Sequence, residues 1–320
     1  MRIFILEPVG HKSYQLFDTM EETFRQMGHE FCHDVADADV VFYDLWNIGG
    51  IYCKRDVDKV LFWQRPVVGF DFKDQWGSPN HRPNWWGFDG FLILHKKAGE
   101  GQAWAIHLKQ FLEAGLVKLM FMRKMCKSWD YFDWVRPIEC CIYPGHDFEP
   151  ATEDEFWHKR SEVCWIGNAT PWRANFMFSL GRFRESGEEP MAIDCFFPNE
   201  RVSNAEWIAR HRDAFMFVEA DGGGFGSERP YQLGFLAAML KQKNDQRMAF
   251  PWTDGVNCVE IGDELGRVEF PEWKRVSDLC NSPHALYQIY LNGIQHLRDH
   301  YTPEARSRYV LEQMEIVDLK

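Results

Sequence analysis

Short apolar runs, each followed by a stretch of helical spacing, constrain this chain more than any other feature of its sequence. RIFIL at 2–6, DVVFY at 39–43, PVVGFD at 66–71 and GFLIL at 90–94 read as buried strands. From about Ser13 to Met27 the apolar positions Leu16, Met20, Phe24 and Met27 recur at helical spacing, and Gly28-His29 closes that helix. The same grammar resumes near Ser161. EVCWIG at 162–167, MAIDC at 191–195 and AFMFV at 214–218 read as strands, with helices from Arg173 to Arg184 and from Asn204 to Arg212 between them. Strands that alternate with helices predict βαβ units and mostly parallel sheets.

A chain of 320 residues has room for two such units, and the Pro- and Gly-rich stretch from Val135 to Pro150 is the best hinge between them. From Pro283 onward the chain reads as helix, broken near Tyr301, where Thr302 caps and Pro303 takes the first helical position. The expected fold class is therefore α/β, with two Rossmann-like domains facing across a cleft. The first spans 1–145 and the second 146–300, and a C-terminal helix at 301–320 packs back on the first.

Composition narrows the partners. A net charge of −12 argues against a protein that relies on attraction to a phosphate backbone. A local basic run, Lys118, Arg123, Lys124 and Lys127, reads either as a groove for an anionic polymer or as a solvated face with snorkelling stems. The nine cysteines show no paired CxxC spacing, which predicts reduced thiols in a cytoplasmic protein and no structural zinc. MRIFILEP reads as a first strand rather than a targeting segment, and no stretch has the length to span a bilayer.

The densest chemical signal is DGGGFGSERPYQ, from Asp221 to Gln232. It lacks the Gly-Lys-Ser/Thr ending of a phosphate-binding P-loop, and Ser227 stands where a dinucleotide fingerprint needs its third glycine. What remains is a strand ending at Val218, a loop of bare amides around Gly224 and Gly226, and Ser227 and Arg229 opening a helix from about Pro230 to Leu240. Helix starts and guanidinium forks both attract anions. The alternative is a surface loop whose glycines only permit turns. A second constellation, Gly167-Asn168 with Arg173 just inside the next helix, sets another cation beside a strand end, and two arginines together suit a diphosphate.

A strand, then Gly-Asn with an Arg beyond, followed later by the Ser227-x-Arg229 pair, resembles the nucleotide-sugar half of GT-B glycosyltransferases. It is similar to exostosin-like and related transferases, whose donor loop reads Ser-x-Arg-x-x-Glu; here Gln232 stands in place of the Glu. Gly224-Phe225-Gly226 is also similar to the Glu-Gly-Phe-Gly loop of retaining members, with Gly223 replacing the first Glu. The likeness covers about residues 160–260. It implies a metal-independent GT-B enzyme that uses a nucleotide diphosphate sugar, a UDP-sugar foremost, as co-substrate and needs no cofactor. Donor contacts would come from Gly167, Asn168, Arg173, Gly224, Gly226, Ser227, Arg229 and Gln232. Trp252 would stack on the base and Asp254 would bind a hydroxyl, against the alternatives of a core tryptophan and a simple turn.

The first half would then hold the acceptor and a general base. Asp71 at a strand end, Asp74 on the adjoining loop and His11 are the candidates, with turn capping the alternative for the two carboxylates. Gly10, Trp76 and Trp85 are candidate acceptor contacts. The acceptor stays open among a glycan, a small metabolite and a hydroxymethylated DNA base. Two other functions stay open as well, a nucleotide-sugar epimerase on the same frame and a binding protein without chemistry. No metal site is expected.

Overall fold

The structure is a computed structural model that describes residues 1–7, 19–45, 53–71, 92–93, 96, 102–103, 106–123, 125–128, 130–167, 171–185, 193–196, 202–220, 228–263 and 266–319. The chain divides into two compact units. The first comprises Met1–Cys141, Gln246–Ala249 and Tyr301–Lys320, and the second Ile142–Asp245 and Phe250–His300.

The first unit carries a six-stranded sheet. Its strands are β1 (Arg2–Leu6), β2 (Glu30–Phe31), β3 (Val40–Asp44), β4 (Val67–Asp71), β7 (Val117–Met122) and β9 (Val135–Pro137), in the order β2-β1-β3-β4-β7-β9. Every pairing in it is parallel. β3 and β4 are buried along their whole length, as strands covered on both faces must be. Helices α1 (Glu21–Gln26), α2 (Lys54–Trp63) and α3 (Ile106–Glu113) belong to this unit, as does the final helix α10 (Pro303–Ile316). Thr302 caps α10 by accepting a bond from the Ala305 N–H, with Pro303 next to it as expected. Tyr309 donates its hydroxyl proton to the Pro137 carbonyl at 2.9 Å, and Arg306 meets the Glu139 carboxylate at 3.2 Å in a fully buried pair.

Two sequence expectations fail here. Of GFLIL, Leu92–Ile93 form β5, which pairs antiparallel with β6 (Gln102–Ala103) instead of joining the six-stranded sheet. Among its described residues, the basic run at 118–127 does not form a continuous basic surface. Its core is β7, whose residues Leu119 to Met122 are all buried, and Arg123 is buried with them. An apolar strand framed by two cations looks, in sequence, like an interleaved basic segment. Beyond it, β8 (Met125–Cys126) pairs antiparallel with β14 (Gln246–Arg247).

The second unit is built on β10 (Ser161–Ile166), β11 (Ile193–Phe196), β12 (Ala214–Glu219), β13 (Ala238–Gln242) and β15 (Val259–Ile261), in the order β11-β10-β12-β13-β15. These pairings are also all parallel. Its helices are α4 (Glu153–Trp157), α5 (Pro171–Glu185), α6 (Asn204–Arg212), α7 (Pro230–Leu233), α8 (Phe270–Cys280) and α9 (Pro283–His300). The helix expected from Pro230 to Leu240 is only α7, four residues long, and β13 takes over at Ala238. LAAML is buried throughout, and a short apolar run does not distinguish a strand from a helix. Among the described residues no helix is long and apolar enough to cross a membrane.

Candidate functional site

In the second unit's sheet the chain leaves β10 toward β11 on one side and returns to β12 on the other. The order reverses between β10 and β12, and ligands of open parallel sheets bind outside the strand ends at such a reversal. Arg173 follows β10, in the first turn of α5, and Arg229 follows β12.

Both guanidinium groups reach this reversal. Arg229 donates from Nη2 to the Ile166 carbonyl at 2.8 Å and from Nη1 to the Val218 carbonyl at 3.2 Å, so it staples the ends of β10 and β12 together. Arg173 donates from Nε to the Ala220 carbonyl at 3.3 Å, just past β12. The Arg229 guanidinium carbon lies 5.4 Å from the centroid of the buried Trp165 ring, a cation–π arrangement. A Cβ on Gly167 would come within 2.3 Å of Arg229 Nη2, so a side chain here would force the guanidinium to shift. Burial pushes the Arg229 pKa down to about 10, with Glu219 pulling it up and Arg173 adding to the depression. The group stays cationic at neutral pH, desolvated beside a second cation. An incoming anion would relieve that arrangement.

α7 is too short to carry an effective macrodipole and Arg229 itself already lies in helical conformation, while the loop amides expected ahead of it lie outside the described residues. The Gln232 carbonyl accepts a hydrogen bond from His146 Nδ1 at 3.0 Å. Trp252 is 8% exposed and stands edge-on to His296, with ring centroids 4.6 Å apart, which gives it a core role instead of an open stacking face. Asp254 binds Arg275 through both carboxylate oxygens, at 2.7 and 3.0 Å, and accepts the Glu260 N–H at 2.9 Å. Asp254 is thus held in an ion pair with Arg275, and Gly255 beside it takes a positive φ of 71°. Asn168, Gly224, Gly226 and Ser227 lie outside the described residues.

In the first unit Asp71 ends β4, 4% exposed, and its carbonyl accepts the Arg123 N–H at 2.9 Å. Gly10, His11, Asp74, Trp76 and Trp85 lie outside the described residues. Asp44, which ends the neighbouring strand β3 and is fully buried, was not among the candidate bases. The signal was present: VVFYD and VVGFD close on the same acid. Sequence reasoning also missed Trp165 and Glu219, which shape the surroundings of Arg229 and announce themselves only through long-range packing. Among the described residues no group of three or more His, Cys, Asp or Glu is placed to hold a metal ion.

No protein-family model and no curated protein matches this sequence. Solved structures do. An alpha-glucosyltransferase (AGT) in complex with UDP is similar at a TM-score of 0.52 and 10% identity, covering 99% of each chain. Anabaena HepE in complex with UDP and glucose is similar at 0.51 and 8%, over 98% of this chain and 99% of the other. A glycosyltransferase from Rickettsia africae matches at 0.51 and 9%, over 99% and 98%. With likeness running the length of each chain, and with two parallel α/β sheets on the page, the fold of this protein is GT-B.

Proposed function

We propose that the chain is a glycosyltransferase that takes a nucleotide diphosphate sugar, UDP-linked, at the β10/β12 reversal and passes the sugar to a hydroxyl acceptor. The observation that carries this reading is the convergence of Arg173 and Arg229 on the ends of those two strands. Support comes also from AGT and HepE, whose structures hold UDP. The two guanidinium groups would stabilise the diphosphate as its negative charge grows during departure, a task for fixed cations in a partly desolvated site. Gly167 would leave room for the Arg229 guanidinium to reach the strand ends. Asp71, at the carboxyl edge of the first unit's sheet, is the described candidate for the base that takes the acceptor's proton.

A thermal-shift screen against UDP-, GDP-, ADP- and CMP-linked sugars tests the donor. At a hundredfold excess over Kd the bound nucleotide adds about 2.7 kcal/mol. Arg173→Ala is the matched variant, since Arg229 also staples two strands. It should keep the fold and lose most of the UDP-dependent shift. If no nucleotide sugar raises the unfolding midpoint of the wild-type protein, the donor reading fails. Release of UDP from a UDP-sugar in the presence of acceptor distinguishes transfer from an epimerase or a binding-only role.

A further inference from the structure

The residues that carry Arg229 are held by a segment on the other side of the second unit's sequence. Tyr143 donates its hydroxyl proton to the Glu228 carboxylate, and its backbone N–H to the Tyr231 carbonyl at 3.2 Å. Three residues on, His146 Nδ1 bonds the Gln232 carbonyl at 3.0 Å. The segment is itself a tight turn: the His146 N–H donates to the Tyr143 carbonyl at 2.9 Å, and Gly145 sits at φ +77°, where glycine is favoured. A helix as short as α7 does not hold its own geometry, because nucleating one turn costs more than its few hydrogen bonds return. The turn at 143–146 supplies what the helix lacks.

We infer that Tyr143 is a positioning residue of the donor site: its bond to Glu228 fixes the backbone from which Arg229 reaches the β10/β12 reversal. The inference rests on the donor reading proposed above. The Arg229 side chain is tied at its far end to Ile166 and Val218, while Tyr143 ties the near end through the adjacent residue. A phenol on a carboxylate is a charge-assisted bond, among the stronger side-chain contacts. None of these atoms needs to touch the sugar.

The test measures binding of UDP and of uridine by titration to the wild-type chain, Tyr143→Phe, Glu228→Gln and the double variant. Thr152→Ala, which removes the cap of α4 away from the turn, serves as the stability control. Tyr143→Phe should raise the Kd for UDP about tenfold, the worth of one charge-assisted bond, while uridine affinity stays within about twofold. Glu228→Gln should move UDP in the same direction by less, and the double variant should be no worse than Tyr143→Phe alone. Thr152→Ala should leave both affinities unchanged. Equal UDP affinity in Tyr143→Phe and wild type overturns the inference while leaving the donor site standing. So does a loss shared equally by UDP and uridine, the mark of a merely structural role. If the wild-type chain binds no UDP at all, the donor reading falls and takes this inference with it.

Discussion

Replacing Gly167 by Ala presses directly on the geometry that holds Arg229. The added Cβ would lie 2.3 Å from Nη2, where ordinary contact begins at 3.4 Å, so the guanidinium must retreat by about 1 Å. Its bonds to Ile166 and Val218 are 2.8 and 3.2 Å long, and such a retreat carries at least one of them beyond hydrogen-bonding range. Losing one or two charge-assisted bonds, with partial recovery by side-chain rearrangement, costs about 2–4 kcal/mol. For a unit of this size that lowers the unfolding midpoint by roughly 5–15 °C. Calorimetry gives the midpoint, and titration with UDP gives the second readout, which should weaken in parallel because the cation has moved. Gly181 is the internal comparison, an exposed position within α5 where an added Cβ meets nothing within 4 Å. Gly181→Ala should stabilise by about 0.5–1 kcal/mol through helix propensity alone. If Gly167→Ala unfolds within about 2 °C of the wild-type chain and binds UDP equally well, Arg229 does not lie where the close approach requires, and the reasoning fails.

Two further outcomes are expected. Arg229→Lys keeps the charge but not the fork, so it should lose stability comparable to Gly167→Ala while retaining part of the UDP-dependent thermal shift; full retention of both would mean that stapling the strands is not its role. His211 is buried with its Nδ1 on the Trp207 carbonyl, and its pKa is lowered to about 4 by burial first, with Arg229 adding to the depression against that bond. The unfolded chain takes up this proton near pH 6.5 and the folded chain only near 4. The contribution is therefore full above pH 6.5 and is lost as pH falls, by about 3 kcal/mol at pH 4. Urea unfolding from pH 7 to 4 should show a shallower slope in His211→Asn, and an unchanged slope would remove this group from the account.

The parts of the fold legible in sequence are those fixed by local rules. The break between α9 and α10 was readable because Thr302 can cap and Pro303 suits the first helical position, and α6 was readable as a helix between two apolar strands. The parts misread are apolar runs whose neighbours decide their state. β7 and β13 carry no period of their own, since both faces are covered, and only their place inside a sheet makes them strands. The site divides in the same way. Arg173 and Arg229 were readable as cations after strand ends, because the chain order places them there. That Arg229 spends hydrogen bonds on two main-chain carbonyls, or that Asp254 is taken by Arg275, depends on residues far apart in sequence. No local pattern records such pairs.

The charge at the two strand edges gives the donor reading a further physical basis. In the second unit, Arg173 and Arg229 reach back to main-chain carbonyls at the ends of β10 and β12, where Glu219 is a buried carboxylate. In the first unit, β3 and β4 end on Asp44 and Asp71, Glu7 follows β1 and Arg123 follows β7. Under the proposed reading a diphosphate belongs at the cationic edge, because a second anion beside Asp44 and Asp71 would meet like charge in a poorly solvated place. A hydroxyl that must lose its proton belongs at the acidic edge, where a carboxylate accepts a hydrogen bond from it before accepting the proton. Sugar transfer needs both environments in one chain. A binding protein for the nucleotide sugar would need only the first, so Asp71→Asn should leave UDP binding intact and abolish acceptor-dependent release of UDP. Transfer at the wild-type rate in that variant would return the acidic edge to a purely structural role.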